Sequence, residues 1–143
     1  MHEQQKPETI IHLLQGRGHR MTTARRFLIS ALCESKAPLS ALDLLRSLEN
    51  SKLHANKTTI YRELVFLEAQ AIVSPIDFGD GTKRYELISD HHHHHLICTK
   101  CGKVEDVELE RDVEEEGARL GKQHGFNVTG HSLEFFGTCK KCS

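Results

Sequence analysis

The stretch "SDHHHHHLICTKCGK", Ser89 to Lys103, decides how this chain is read. Five consecutive histidines, His91 to His95, look like an affinity tag. Tags sit at termini, however, and this run has 90 residues before it and 48 after it. It leads straight into Cys98-x-x-Cys101, and a second pair, Cys139-x-x-Cys142, follows after 37 intervening residues. Zinc favours four tetrahedral ligands, and each two-residue gap lets one tight turn aim two thiolates at one ion. Four thiolates leave no open coordination position, so Cys98, Cys101, Cys139 and Cys142 predict a structural zinc site rather than a catalytic one. Lys100 and Lys103 are placed to help keep the thiolates ionised. Four reduced thiols, or two redox pairs, are the plainer alternative.

The histidines supply a second pattern. An extended chain alternates its side chains. His91, His93 and His95 then face one way, and His92 and His94 the other, so one run can feed two separate metal sites. Glu86 and Asp106 are candidates to join His93 and His95. Glu114 and His131 are candidates to join His92 and His94. Mixed nitrogen and oxygen donors suit Zn²⁺, Fe²⁺ or Mn²⁺ better than Cu(I). A solvated histidine run with incidental metal affinity is the alternative.

Working outward, 143 residues suffice for one domain or two small ones. With 6% aromatic residues and no Trp, any core must be aliphatic. No window approaches 18 apolar residues, and "MHEQQKPE" lacks a signal-peptide core, so the expectation is a cytoplasmic protein with no membrane partner. A net charge of −1 conceals an asymmetry. Residues 1–64 carry 10 Lys/Arg against 6 Asp/Glu, whereas residues 89–143 carry 7 against 10. A basic front and an acidic, His-rich back point to two jobs. In a cytosolic chain the paired cysteines favour zinc over disulfides. Cys33, among apolar neighbours, reads as a small core residue.

The front half has helical periodicity. Pro7 opens a short helix with Ile10, Ile11, Leu13 and Leu14, and "GRGHR" breaks it. Thr22 or Thr23 caps a second helix carrying Phe27, Leu28, Ala31 and Leu32. Ser40 and Asp43 resemble a capping box ahead of Leu44, Leu45 and Leu48. A fourth helix starts between Asn56 and Thr58 and runs through "TTIYRELVFLEAQ". Then "AIVSPIDF" and "KRYELI" flank "GDGT", which reads as a β-hairpin. The outline is a winged helix-turn-helix over residues 1–88, with the fourth helix as reader and the hairpin as wing. From Ser89 on, "HLIC" and "KVEDVEL" read as strands, "RDVEEEGARLGKQHG" as a helix ending at Gly125, and "FNVTGHSLEFFGTC" as one long strand or two. The fold class is therefore α+β: a winged-helix domain, 1–88, then a small α/β metal-binding domain, 89–143.

"TTIYREL", "HHHHHLICTKCGKVED" and "HSLEFFGTCKKC" together closely resemble the ferric-uptake-regulator family, from about Leu13 to Cys142. That resemblance implies a bacterial, metal-dependent, homodimeric repressor that binds double-stranded DNA, and it removes the tag reading. It implies that Cys98, Cys101, Cys139 and Cys142 hold structural Zn²⁺. Glu86, His93, His95 and Asp106 match the regulatory site between the domains, and His92, His94, Glu114 and His131 a further site in the dimerisation domain. Thr59, Tyr61 and Arg62 match reading-helix positions. Arg20, in "GHRMT", matches a basic residue that reaches the minor groove. The chain also departs from the pattern. Pro38 stands where many relatives have a histidine ligand, which leaves the regulatory site short or recruits Asp77, Asp90 or water. His94 stands where iron-type members often have aspartate, and Glu86 where several zinc sensors use cysteine. Zn²⁺ and Fe²⁺, with Mn²⁺ behind them, are the expected regulatory ions.

The expected mechanism is closure. An ion at the hinge favours one orientation of the two winged helices, which then meet an A·T-rich palindrome one DNA turn apart. Tyr61 is placed for a thymine methyl and Thr59 for a base edge or phosphate. Arg62, Arg20, Arg25, Arg26 and Lys57 would supply phosphate or groove contacts, Arg26 being also readable as an ordinary solvated face. An enzyme is not expected, nor a small-molecule substrate: no His-x-Glu triplet precedes Cys98 and there is no HExxH. The alternative is a metal chaperone or storage protein, which explains the histidines but not the basic "TTIYREL" module.

Overall fold

The computed structural model describes residues 5–89 and 93–143. It forms two compact units, residues 1–88 and 89–143. In the first, helices α1 (Pro7–Gly16) and α2 (Thr23–Glu34) lead through a two-residue strand β1 (Leu39–Ser40) into α3 (Ala41–Asn50) and α4 (Lys57–Ala69). A hairpin of β2 (Val73–Asp77) and β3 (Lys83–Leu87) follows. The three strands form an antiparallel sheet in the order β1-β3-β2. This is the winged-helix outline that the sequence predicts.

Local chemistry sets the helix starts. Thr22 caps α2 by accepting from the Arg25 N–H at 3.1 Å. Ser40 and Asp43 form a reciprocal capping box: Ser40 Oγ accepts from the Asp43 N–H at 3.1 Å, and Asp43 Oδ2 from the Ser40 N–H at 2.9 Å. Asn56 caps α4 by accepting from the Thr59 N–H at 2.9 Å. The end of α4 is a Schellman motif. Ile72 N–H donates to Leu67 O and Ala71 N–H to Glu68 O, with Ala71 at φ 58° where glycine is usual. Asp77 and Asp80 hold the hairpin turn by accepting from the N–H groups of Gly79 and Thr82.

The inward stripes meet in one aliphatic core. Leu14, Leu28, Ile29, Leu44, Leu48, Ile60, Leu64 and Leu67 are fully buried, and Val73 and Tyr85 close the core from the sheet. Each such side chain contributes roughly 2 kcal/mol of burial. Cys33 is buried among them, as its sequence context predicts.

The second unit is smaller. Strand β4 (His94–Cys98) lies between β5 (Val104–Val107), antiparallel, and β6 (Glu134–Gly137), parallel. Helix α5 (Val113–His124) starts at Asp112, whose carboxylate accepts from the N–H groups of Glu114 and Glu115. It ends at Gly125, held at φ 75°. The chain then folds back so tightly that a Cβ on Gly121 would lie 2.6 Å from Phe126 O. Of the stretch expected to be strand from Phe126 to Cys139, β6 alone is paired among the described residues. Among the described residues, no helix is long and apolar enough to cross a membrane.

Candidate functional site

Pairing of β4 with β6 sets the cysteines in place. Cys98 ends β4 opposite Gly137, two residues before Cys139. Thr99 N–H donates to Gly137 O at 2.9 Å and fixes that register. Two knuckles follow: Gly102 N–H donates to Cys98 O at 2.9 Å, and Cys142 N–H to Cys139 O at 2.9 Å. All four sulfurs lie within 4.8 Å of one another. Cys101 Sγ and Cys139 Sγ are 3.7 Å apart. A tetrahedral ion with bonds of about 2.3 Å places its sulfurs about 3.8 Å apart, so the set fits zinc.

The electrostatics of the cluster differ from the sequence expectation. Backbone N–H groups of Cys101, Cys139 and Lys100, not lysine ammoniums, hold the Cys98 thiol down to about 6. Lys103 pairs with Glu105 at 2.6 Å, and Lys100 donates to Cys142 O at 3.1 Å. Hydrogen bonds to Cys139 and Cys101 push Cys142 up to about 12. Four sulfurs this close do not all ionise by themselves, and a shared cation is what lets them do so.

Around β4 the alternation of side chains is realised. His95 pairs in register with Asp106 on β5, and His95 Nε2 lies 3.7 Å from Asp106 Oδ1. His93 Nε2 is 4.0 Å from the same oxygen, and the two imidazoles meet edge to face with centroids 5.0 Å apart. Donors sharing one ion at about 2.1 Å are roughly 3.0 to 4.2 Å apart, so each histidine is at a ligand-sharing distance from Asp106. His95 is buried, whereas Asp106 is exposed. Glu86 is half-buried on β3, opposite Ser74. Pro38 is buried and Asp77 is engaged in its turn. Asp90, His91 and His92 lie outside the described residues.

The other face of β4 carries His94. Its Nδ1 is 3.1 Å from Leu133 O, a bond that requires the Nδ1–H tautomer and leaves Nε2 as the lone-pair donor. The His131 ring lies 5.3 Å away, centroid to centroid. Glu114 sits in the first turn of α5. Among the described residues Glu114, His94 and His131 do not gather within 4.8 Å as a set.

In the first unit the outward stripe of α4 carries Tyr61 and Arg62, both exposed. Thr58 and Val65 share it, and the helical period alone would have found them. Lys57 Nζ lies 5.8 Å from the Tyr61 ring. Thr59 is turned toward the cap, where its N–H and Oγ1 both bond Asn56 Oδ1. Arg20 is exposed on the α1–α2 connection, and Arg26 is exposed on α2. Arg25, expected among the phosphate contacts, faces inward onto Glu63.

The model of the "Ferric uptake regulator family" matches residues 16–136, most of both units. The chain belongs to the ferric uptake regulator family. It is 34% identical over 134 residues to the ferric uptake regulation protein of Campylobacter jejuni, spanning 92% of this chain and 84% of that one. It is also 30% identical over 135 residues to the peroxide operon regulator of Bacillus subtilis, spanning 93% and 90%. The Helicobacter pylori ferric uptake regulator, described as having three functional metal binding sites, superposes with a TM-score of 0.79 at 25% identity, covering 99% and 97%. Family members are metal-responsive transcriptional repressors that generally bind DNA as dimers, and they are regulators rather than enzymes. Membership gives this chain that general function.

Proposed function

We propose that the chain represses metal-uptake and homeostasis genes by binding A·T-rich palindromic operators as a homodimer when loaded with Zn²⁺ or Fe²⁺. Glu86, His93, His95 and Asp106 hold the regulatory ion, and Cys98, Cys101, Cys139 and Cys142 hold structural Zn²⁺. His94 and His131, with His92 and Glu114, form a further site. The observation that carries the reading is that His93 Nε2 and His95 Nε2 both approach Asp106 Oδ1, at 4.0 and 3.7 Å, where the start of β4 faces β5.

Bound there, the ion supplies positive charge that draws nitrogen and oxygen donors together. Glu86 belongs to the winged-helix unit, and His93, His95 and Asp106 to the other. Donors drawn from both units bind well in one relative orientation only, so differential affinity shifts the population toward it. Moving a pair from mostly open to mostly closed needs about 5.5 kcal/mol of preference. Tyr61 and Arg62 then meet base edges, and Lys57 and Arg20 the backbone and minor groove. Phe135 and Phe136, exposed on the edge strand β6, support pairing of two copies through the second unit.

The test is a DNA titration with full-length protein stripped of loosely held ions, with Zn²⁺, Fe²⁺ and Mn²⁺ restored separately without oxygen. The correct ion raises affinity for the palindrome on the order of 100-fold, and joint replacement of Glu86, His93 and His95 by alanine abolishes the response. Equal affinity with and without every ion defeats the reading.

A further inference from the structure

We propose that Arg25, gripped by Glu63, is a positioning residue for DNA reading, a role that rests on taking Arg20 and α4 as DNA contacts. It fixes the loop bearing Arg20 against the helix bearing Tyr61 and Arg62. Arg25 lies in the first turn of α2 but its side chain crosses to α4. Its Nε donates to Glu63 Oε2 at 2.7 Å and its Nη2 to Glu63 Oε1 at 3.2 Å, a two-pronged grip. Its Nη1 donates to the backbone carbonyl of Arg20 at 2.6 Å. Its guanidinium stacks 3.7 Å above the Phe66 ring, and the His19 ring meets Phe66 edge-on at 4.9 Å. The side chains of Arg25 and Glu63 are only 14% and 13% exposed. A guanidinium so enclosed holds protein groups rather than a phosphate.

A second arginine extends the brace. Arg17, at the end of α1, donates from Nη1 to Gln70 O at 2.8 Å, at the C-terminal end of α4. The α1–α2 connection is therefore tied to Glu63, Phe66 and Gln70. Those positions recur at i, i+3 and i+7, so they form one stripe along α4. The stripe lies beside the exposed one that carries Tyr61, Arg62 and Val65. Arg20 is consequently held at a set offset from the reading residues, although its own side chain is exposed. A protein built this way demands a narrow minor groove and the correct major-groove edges at a fixed spacing, because neither contact can adjust without the other.

The experiment uses the full-length, metal-loaded protein and a duplex that it selects from a randomised pool. A second copy of the duplex carries 2,6-diaminopurine for adenine in its A·T-rich flanks. That base adds an amino group to the minor groove and leaves the major-groove pattern unchanged. The native chain should bind the substituted duplex about tenfold more weakly. Glu63→Gln and Arg25→Lys should reduce this preference to that of Arg20→Ala, and adding Glu63→Gln to Arg20→Ala should change nothing further. Thermal unfolding of each variant runs alongside: a purely structural role lowers the midpoint and leaves the preference at its native value. A native preference in both Glu63→Gln and Arg25→Lys overturns the positioning role. A native preference in Arg20→Ala removes the minor-groove reading of Arg20 itself, and the positioning role with it.

Discussion

The first unit puts Leu14, Leu28, Leu44, Leu48, Leu64 and Leu67 almost wholly out of water, while among the described residues of the second Ile97 is the one well-buried aliphatic side chain. The second instead buries His94, His95 and Cys98 and leaves Phe126, Phe135 and Phe136 exposed. One unit is held by hydrophobic burial. The other gathers potential ligands where a core would be, and in a unit of some 50 residues so built a bound metal would add stability that apolar burial does not supply. The division suits the proposed sensor: a unit with an aliphatic core should keep its shape regardless of metal, and a unit built around ligands should lose stability without it.

The largest effect that would break this contrast is at the cysteines. Cys139→Ser, or strong chelation, should remove on the order of 10 kcal/mol of metal-linked stability from the second unit. Amide exchange should show residues 94–137 losing protection while α2 and α4 keep theirs. Alkylation sharpens the same test. Burial, with the charges of Glu8 and Glu34, pushes the Cys33 thiol up to about 11, so it stays protonated and hidden when the other four react. Labelling of Cys33 together with the four on chelation would show that the units do not differ as described.

Next in size is the core. Leu64→Ala should cost about 3 kcal/mol and lower the unfolding midpoint of the first unit by about 15 °C. Zinc content should be unchanged. The smallest effect is a gain. Ala71→Gly relieves a left-handed alanine at the end of α4 and should add up to about 1 kcal/mol to the first unit alone, read by chemical denaturation. A loss there would mean that the strain at Ala71 is repaid elsewhere.

Much of this is legible in the chain. Caps at Thr22, Ser40 and Asn56, the hairpin around "GDGT" and the paired cysteines depend on neighbours a few residues apart, so local physics suffices. The role of Arg25 is not legible. In the sequence Arg25 is one more basic residue on a basic unit, and its commitment to Glu63, 38 residues away, depends on how α2 crosses α4. Thr59 reads as a DNA contact, and the structure adds that its hydroxyl donates to Asn56 Oδ1 at the helix cap. The cause of the Cys98 shift is likewise hidden, since amide direction in a knuckle is not written in residue type.

By itself, then, the sequence determined the order of elements, the helix starts, the four-cysteine set and the alternation that sends His93 and His95 to one face of β4 and His94 to the other. Those follow from spacing and from the two-residue period of a strand. Tertiary structure decided which donors converge, with Asp106 set opposite His95 and His131 beside His94, and which arginines are withdrawn from the surface. The physical reason is that strand register and helix crossing are settled by long-range packing, where residues far apart in the chain compete for the same space.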